Sequence, residues 1–131
     1  MEIISYEESK YKDILIKKNQ THCLIGKTDD VEMVLLHYHD SNEAKEKWAR
    51  RCQRVNYENI IFKMSEMSYC TEEHLKAFDA FPADRKVLFI SCDYRLKSQI
   101  VCPEWSEIGE IKNDTTDFKK HIDLVSLINR V

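Results

Sequence analysis

With 131 residues, 43% hydrophobic and 33% charged, the chain is long enough to bury a core of its own without a metal or disulfide staple. Its 20 basic and 23 acidic residues leave a net charge of −3, which excludes the broad basic field that recruits nucleic acid. The opening MEIISYEESK has neither the basic nor the apolar region of a secretory leader, and no apolar run approaches the ~18 residues of a membrane span. The expected setting is the cytoplasm.

Two glycines and two prolines are the only strong punctuation, without repeats, low-complexity runs or a linker, so one domain over 1–131 is expected. In chain order, EIISY is a candidate strand and SKYKDILIKK a candidate short helix. THCLIG and VEMVLLHY then read as strands around the polar turn KTDD. In Val31–Tyr38, alternation gives way to Met33-Val34-Leu35-Leu36, the pattern of a strand covered on both faces. Asp40 or Ser41 caps a helix over 42–55, with Glu43 favourably placed in its first turn. NIIFKM is a short strand, and Thr71 caps a helix over 71–81 that stops before Pro82. KVLFISC, spanning Lys86–Cys92, is a second continuous apolar strand, QIVC a fourth or edge strand, and Phe118, Ile122, Val125 and Ile128 space a closing helix over 116–130. Strands alternating with helices predict an α/β fold: a mainly parallel sheet with βαβ units in a layered, Rossmann-like architecture.

The five cysteines are odd in number and no two stand three apart, which excludes paired zinc knuckles and a thioredoxin-type motif. Cys23, Cys52 and Cys92 lie within apolar patterns and read as buried, reduced thiols. Cys70 precedes a helix N-terminus, which can lower a thiol's pKa, but no base is identifiable beside it.

Chemistry concentrates in HYHDSNEAKEKWARRCQRVN, residues 37–56. At about 100° per residue, Ala44, Trp48, Cys52 and Val55 fall within about 80° and form a buried stripe. Arg51 falls about 20° outside Ala44, inside the apolar face, while Lys47 and Arg54 lie just beyond it. A buried guanidinium needs fixed acceptors. One expectation is a structural ion pair with Asp40, Asp79 or Asp93, the stem lying along Trp48. The other is that Arg51, with Lys47 and Arg54, holds a phosphate or carboxylate ligand. His37, Tyr38 and His39 would stand at the carboxyl end of a central strand, where open parallel sheets bind ligands. His37 and His39 share a side of an extended chain, but no third ligand follows at a diagnostic spacing, so no metal is expected. Glycine-rich phosphate loops, dinucleotide fingerprints and serine elbows are absent, so no cofactor is implied and no catalytic residue can be assigned.

IGKTDDVEMVLLHYHDSNEAKEKWARRCQRVNYENIIF, CTEEHLKAFDAFP and KVLFIS together resemble the C-terminal half of a bacterial family named for exopolysaccharide biosynthesis and otherwise of unknown function. The resemblance covers roughly residues 22–128. It rests on Gly26, His37-Tyr38, Glu43-Ala44, Lys47-Trp48, Arg51, Arg54, Asn56, Asn59, Cys70-Thr71 and Phe78. It implies an α/β protein of capsule or surface-polysaccharide assembly, in which a transferase acting on sugars is the usual guess. The resemblance also implies a missing N-terminal half. Two expectations follow: a sugar or nucleotide-sugar transferase, or its remnant, holding an anionic ligand at His37, Tyr38, His39, Lys47, Arg51 and Arg54; or a non-catalytic interaction module, such as a homodimer.

Overall fold

The computed structural model describes residues 1–129, which divide into two compact units, the first Met1–Asn56 and the second from Tyr57 onward. Both mix helices with a three-stranded sheet, one sheet antiparallel and the other parallel. The mixed α/β class holds, but the sheet is not one mainly parallel layer.

In the first unit, β1 (Glu2–Ile4), β2 (Leu24–Thr28) and β3 (Val31–Leu35) pair antiparallel in that order. The turn between β2 and β3 contracts to Asp29-Asp30, with Asp29 at φ 56°, a left-handed conformation that aspartate tolerates better than most residues. Gly26, in the central strand, lies opposite Met33 and Ile3; a Cβ there would meet the Met1 sulfur at 2.7 Å. A 3₁₀ turn at Tyr6–Glu8 and α1 (Lys12–Lys17) cross from β1 to β2. They are tied to the hairpin by the Ser9 hydroxyl, which donates to Glu32, and by the Lys10 ammonium, which donates to the Asp30 carbonyl. Leu15, Ile25 and Ala44 form the buried apolar positions of this unit, Ala44 coming from α2 (Ser41–Cys52).

Val31–Tyr38 is therefore not a buried central strand. Pairing stops at Leu35, β3 is an edge, and each of its residues is exposed or half-buried, none buried. An antiparallel edge needs only one covered face. Val31, Val34 and Leu36 are left exposed.

The second unit contains the expected βαβ element. β4 (Phe62–Ser65), α3 (Glu72–Ala80) and β5 (Lys86–Ile90) lead to β6 (Gln99–Val101), with all three strands parallel in the order β4-β5-β6. After Lys86, the run VLFI of β5 is continuously apolar, and both its faces are covered. Leu88 and Ile90 pack with Leu75 and Phe78 of α3, while Val87 and Phe89 pack with Ile111, Phe118, Ile122 and Leu127. Thr71 caps α3 by accepting from the His74 N–H at 3.4 Å, and His74 Nδ1 accepts from the Thr71 N–H at 3.1 Å. The Lys86 ammonium closes the other end on the Asp79 and Phe81 carbonyls, where the helix dipole favours a cation.

The closing helix breaks into pieces: α4 (Asp114–Asp117), a 3₁₀ turn (Phe118–Lys120) and α5 (Leu124–Ile128). Asp123 is the cause, because its carboxylate accepts from the Val125 and Ser126 N–H groups at 3.0 and 3.2 Å and starts a new helix instead of continuing the old one. The end of the expected span, at Arg130, lies outside the described residues. α2 likewise ends at Cys52, three residues short of Val55.

Leu88 is fully buried in the middle of β5. Truncation to alanine is expected to destabilise the protein by about 2–5 kcal/mol, whereas Val34→Ala on the exposed edge should cost under about 1 kcal/mol. Urea unfolding of the two variants measures the difference.

Candidate functional site

The basic stretch of the first unit is only partly assembled. Tyr38 leaves β3 half-buried, and its ring meets two cations of α2: the Lys47 ammonium at 5.3 Å and the Arg51 guanidinium carbon at 6.0 Å from the ring centroid. Lys47 is also paired with Glu43 at 2.5 Å, one helical turn away. The cap of α2 is Asp40, whose carboxylate accepts from the Glu43 N–H at 2.8 Å. Tyr38, Lys47 and Arg51 thus come together. His37, His39 and Arg54 are exposed, and the structure shows no side-chain partner for them among the described residues.

Arg51 is exposed, contrary to the buried ion pair that its stripe position predicts. The covered part of α2 is narrow: Ala44 is buried, Trp48 and Cys52 are half-buried, and Val55 falls outside the helix and is 43% exposed. Arg51 stands about 60° from the centre of that stripe and about 20° beyond its edge, on the rim. Asp79 and Asp93 are occupied elsewhere, by Ser98 and by Gln99 with the Arg95 N–H. Nor does HYHDS stand at the carboxyl end of a parallel strand, since β3 is an antiparallel edge.

The carboxyl edge of a parallel sheet lies in the second unit, and a buried carboxylate sits there. Glu66, directly after β4, is 6% exposed. Its carboxylate accepts from the Ser91 N–H and hydroxyl, both at 2.7 Å, and from the Tyr94 hydroxyl at 3.0 Å. Its backbone bridges Phe89 and Ile111. Burial, then the hydrogen bond to Glu66 and its charge, raise the Tyr94 pKa. Two residues in the left-handed region flank this edge, Tyr69 at φ 77° and Arg95 at φ 59°, a strained setting for bulky side chains. Gln99 braces the 91–98 loop by accepting from the Tyr94 and Leu96 N–H groups at 3.2 and 3.0 Å.

Neither Cys70 nor Cys102 is activated. Burial raises the Cys70 pKa, and the nearby Glu66 charge adds to the rise, so the position before α3 does not yield a ready nucleophile. Burial pushes Cys102 up to about 11. Cys92, which the apolar pattern places inside, is exposed because β5 ends at Ile90. Among the described residues no group of three or more histidine, cysteine or acidic side chains is arranged to hold a metal ion, and His37 and His39 gain no third ligand.

A second polar cluster borders the other face of the parallel sheet. Asp114 accepts from the Lys63 ammonium at 2.8 Å and from the Ser65 hydroxyl. Burial alone would raise the Asp114 pKa, but the hydrogen bonds and charge of Lys63, with Ser65, outweigh it and hold the group low. Glu66, Ser91, Tyr94, Lys63 and Asp114 all escape a reading of the sequence by motif. The available signal is a carboxylate and a serine placed directly after FKMS and KVLFI.

The sequence pattern of a family described as Domain of unknown function (DUF1919) matches residues 3–129, and the chain belongs to that family. The match starts at residue 3, ahead of the segment that carries the resemblance noted above. An uncharacterized protein of Haemophilus influenzae is 36% identical over 70 residues, which are 53% of this chain and 34% of that protein. The chain thus spans about a third of the length of that relative. Comparison with solved structures finds no match. Among the described residues no helix is long and apolar enough to cross a membrane.

Removing the Glu66 carboxylate strands an N–H and two hydroxyls. Glu66→Ala is expected to cost about 3 kcal/mol or more, and Tyr94→Phe about 1 kcal/mol, in equilibrium unfolding. The depressed carboxylates set an acid limit. Burial pushes Asp79 up, but its bonds to Ser98 and Lys97 and the Lys86 charge prevail and lower it, as Lys63 and Ser65 lower Asp114. A carboxyl whose folded pKa lies below its unfolded value contributes stability above the unfolded pKa, near 4, and loses it as pH falls through the folded one. Unfolding free energy should therefore hold near neutrality and drop below about pH 4, less steeply in Asp114→Asn.

Proposed function

We propose that the protein acts in the assembly of a bacterial surface polysaccharide and binds an anionic sugar derivative, a sugar phosphate or nucleotide sugar, on the face formed by Tyr38 and α2. The observation that carries this reading is the Arg51 guanidinium, exposed and set over the Tyr38 ring. An exposed arginine can turn its donor fork to a phosphate, and an aromatic beneath it limits how far it strays. Lys47 adds a second cation over the same ring, while Arg54, His37 and His39 border the face in sequence. The pathway comes from the resemblance of the HY…EA…KW run, and transfer of the sugar is the reaction class it suggests. The family match extends across both units, which supports treating 1–131 as one functional domain, and the absence of any long apolar helix among the described residues supports a cytoplasmic setting.

A specific observation favours a second reading, a homodimer or interaction module. β3 is a sheet edge that exposes Val31 and Val34, followed by Leu36, and such an edge can pair with another chain.

Thermal shift and calorimetry with UDP-glucose, glucose 1-phosphate and inorganic phosphate test the first reading. A saturable stabilisation by the sugar phosphates that is lost in Arg51→Met and weakened in Tyr38→Ala is expected. Arg51→Met alone should leave unfolding within about 0.5 kcal/mol, as for an exposed side chain. Absence of any shift, together with a dimer in sedimentation that Val34→Lys dissociates, would establish the interaction module instead.

A further inference from the structure

We infer that the cleft on the α4–α5 side of the parallel sheet is a binding site for a small uncharged amphiphile: a short apolar chain ending in a hydroxyl or a neutral carbonyl. The cleft has a volume of about 320 Å³. Ile61, Val87 and Phe89 form its floor, and Phe118, Ile122 and Leu127 its walls. At ~30 Å³ per water-sized group it has room for about ten such groups. Side chains of this kind offer water no hydrogen bonds, so an apolar body gains by displacing solvent from them.

The rim of the cleft selects the head group. Lys63, Asp114 and Thr115 are its polar lining. The Lys63 ammonium reaches across the Phe89 ring, 5.9 Å from its centroid, to pair with Asp114 at 2.8 Å, and Ser65 donates to the same carboxylate. One of the three ammonium donors is occupied by that pair, leaving others for a ligand oxygen, while the carboxylate and the Thr115 hydroxyl can accept from a ligand hydroxyl. The pair is neutral as a whole. A ligand carboxylate would face Asp114, which Lys63 and Ser65 keep ionised, and a ligand ammonium would face Lys63. An uncharged head meets neither repulsion and can bridge both. The cleft is built from residues of the second unit alone, and the inference does not rest on the anionic-ligand reading of Tyr38 and α2.

The test uses 1-octanol, octanoate and octylamine, titrated into the full chain with labelled isoleucine, leucine and valine methyls. Saturable shifts at Ile61, Val87, Ile122 and Leu127 are expected with 1-octanol, and binding roughly tenfold weaker with either charged probe, because each would bury an unmatched charge. Thr115→Trp, at an exposed position on the rim, should abolish the shifts while the rest of the methyl spectrum reports an intact fold. Asp114→Asn should change the order and favour octanoate, since Lys63 is then uncompensated. The inference is overturned if 1-octanol gives no saturable shift, if Thr115→Trp leaves it intact, or if the charged probes bind as well as the alcohol.

Discussion

The second unit depends on the double burial of one short strand. Val87 and Phe89 turn to one side of β5 and Leu88 and Ile90 to the other, and each side needs its own cover. α3 supplies one cover through Leu75 and Phe78, and the segment after Ile111 supplies the other through Phe118, Ile122 and Leu127. Because strands in a parallel ladder cannot be joined by a tight turn, the chain must leave and return on each side. The connection through α3 is of the usual kind. The 91–98 connection lacks a helix, so it is held by side chains instead: Gln99 and Asp93 on its own backbone, Asp79 on Ser98, and Glu66 on Ser91 and Tyr94. Polar residues that suggest a site from their number are thus engaged in replacing a missing helix.

The opposite holds in the first unit. Its sheet is antiparallel and needs cover on one face only, so α2 buries just Ala44 and half-buries Trp48 and Cys52. A narrow contact leaves the rim of the helix to solvent, and the cations stand on that rim. Near the C-terminus of α2 the dipole already favours Arg50 and Arg51, so their presence alone says little. What distinguishes Arg51 from Arg50 is the Tyr38 ring beneath it. Tyr38 lies beyond the last paired residue of β3, where the chain is free to turn its ring towards α2.

Local signals in the sequence marked the elements well where they were chemically explicit. Asp40 and Thr71 cap helices as their positions imply, Pro82 follows the end of α3, and KVLFI is a strand buried on both faces. The failures share a cause, which is that periodicity reports apolar content and not what covers it. VEMVLL and KVLFI look alike as strings, yet one is an exposed antiparallel edge and the other a central parallel strand. Partner choice is decided by the Asp29-Asp30 turn, tight enough to force a hairpin, and that outweighs the alternation of strands and helices. The placement of Arg51 failed for a similar reason, since the spacing of Ala44, Trp48 and Cys52 marks the apolar side of α2 and not how narrow a part of it is covered. Lys63, Ser65 and Asp114 lie far apart in the chain and meet only through the return of the terminal segment to the sheet.

These arrangements bear on where chemistry could occur in the second unit. In open parallel sheets a ligand usually sits outside the carboxyl ends of the strands. Here that edge carries Glu66, and the groups a ligand would need are already taken: the carboxylate by three donors, and Ser91, 2% exposed, by that carboxylate. A nucleophilic role for Ser91 would require the loop to open and Glu66 to give up its bonds, at the cost of leaving buried polar groups unsatisfied. The neighbouring thiol Cys70 is held protonated by burial and by the same carboxylate. A cleft of about 320 Å³ lies instead on the face of the sheet, beneath the broken terminal helix. A continuous helix would present a single apolar stripe to Val87 and Phe89 and could close over them. The restart at Asp123 divides that stripe into two short pieces, and the gap they cannot fill is the cleft.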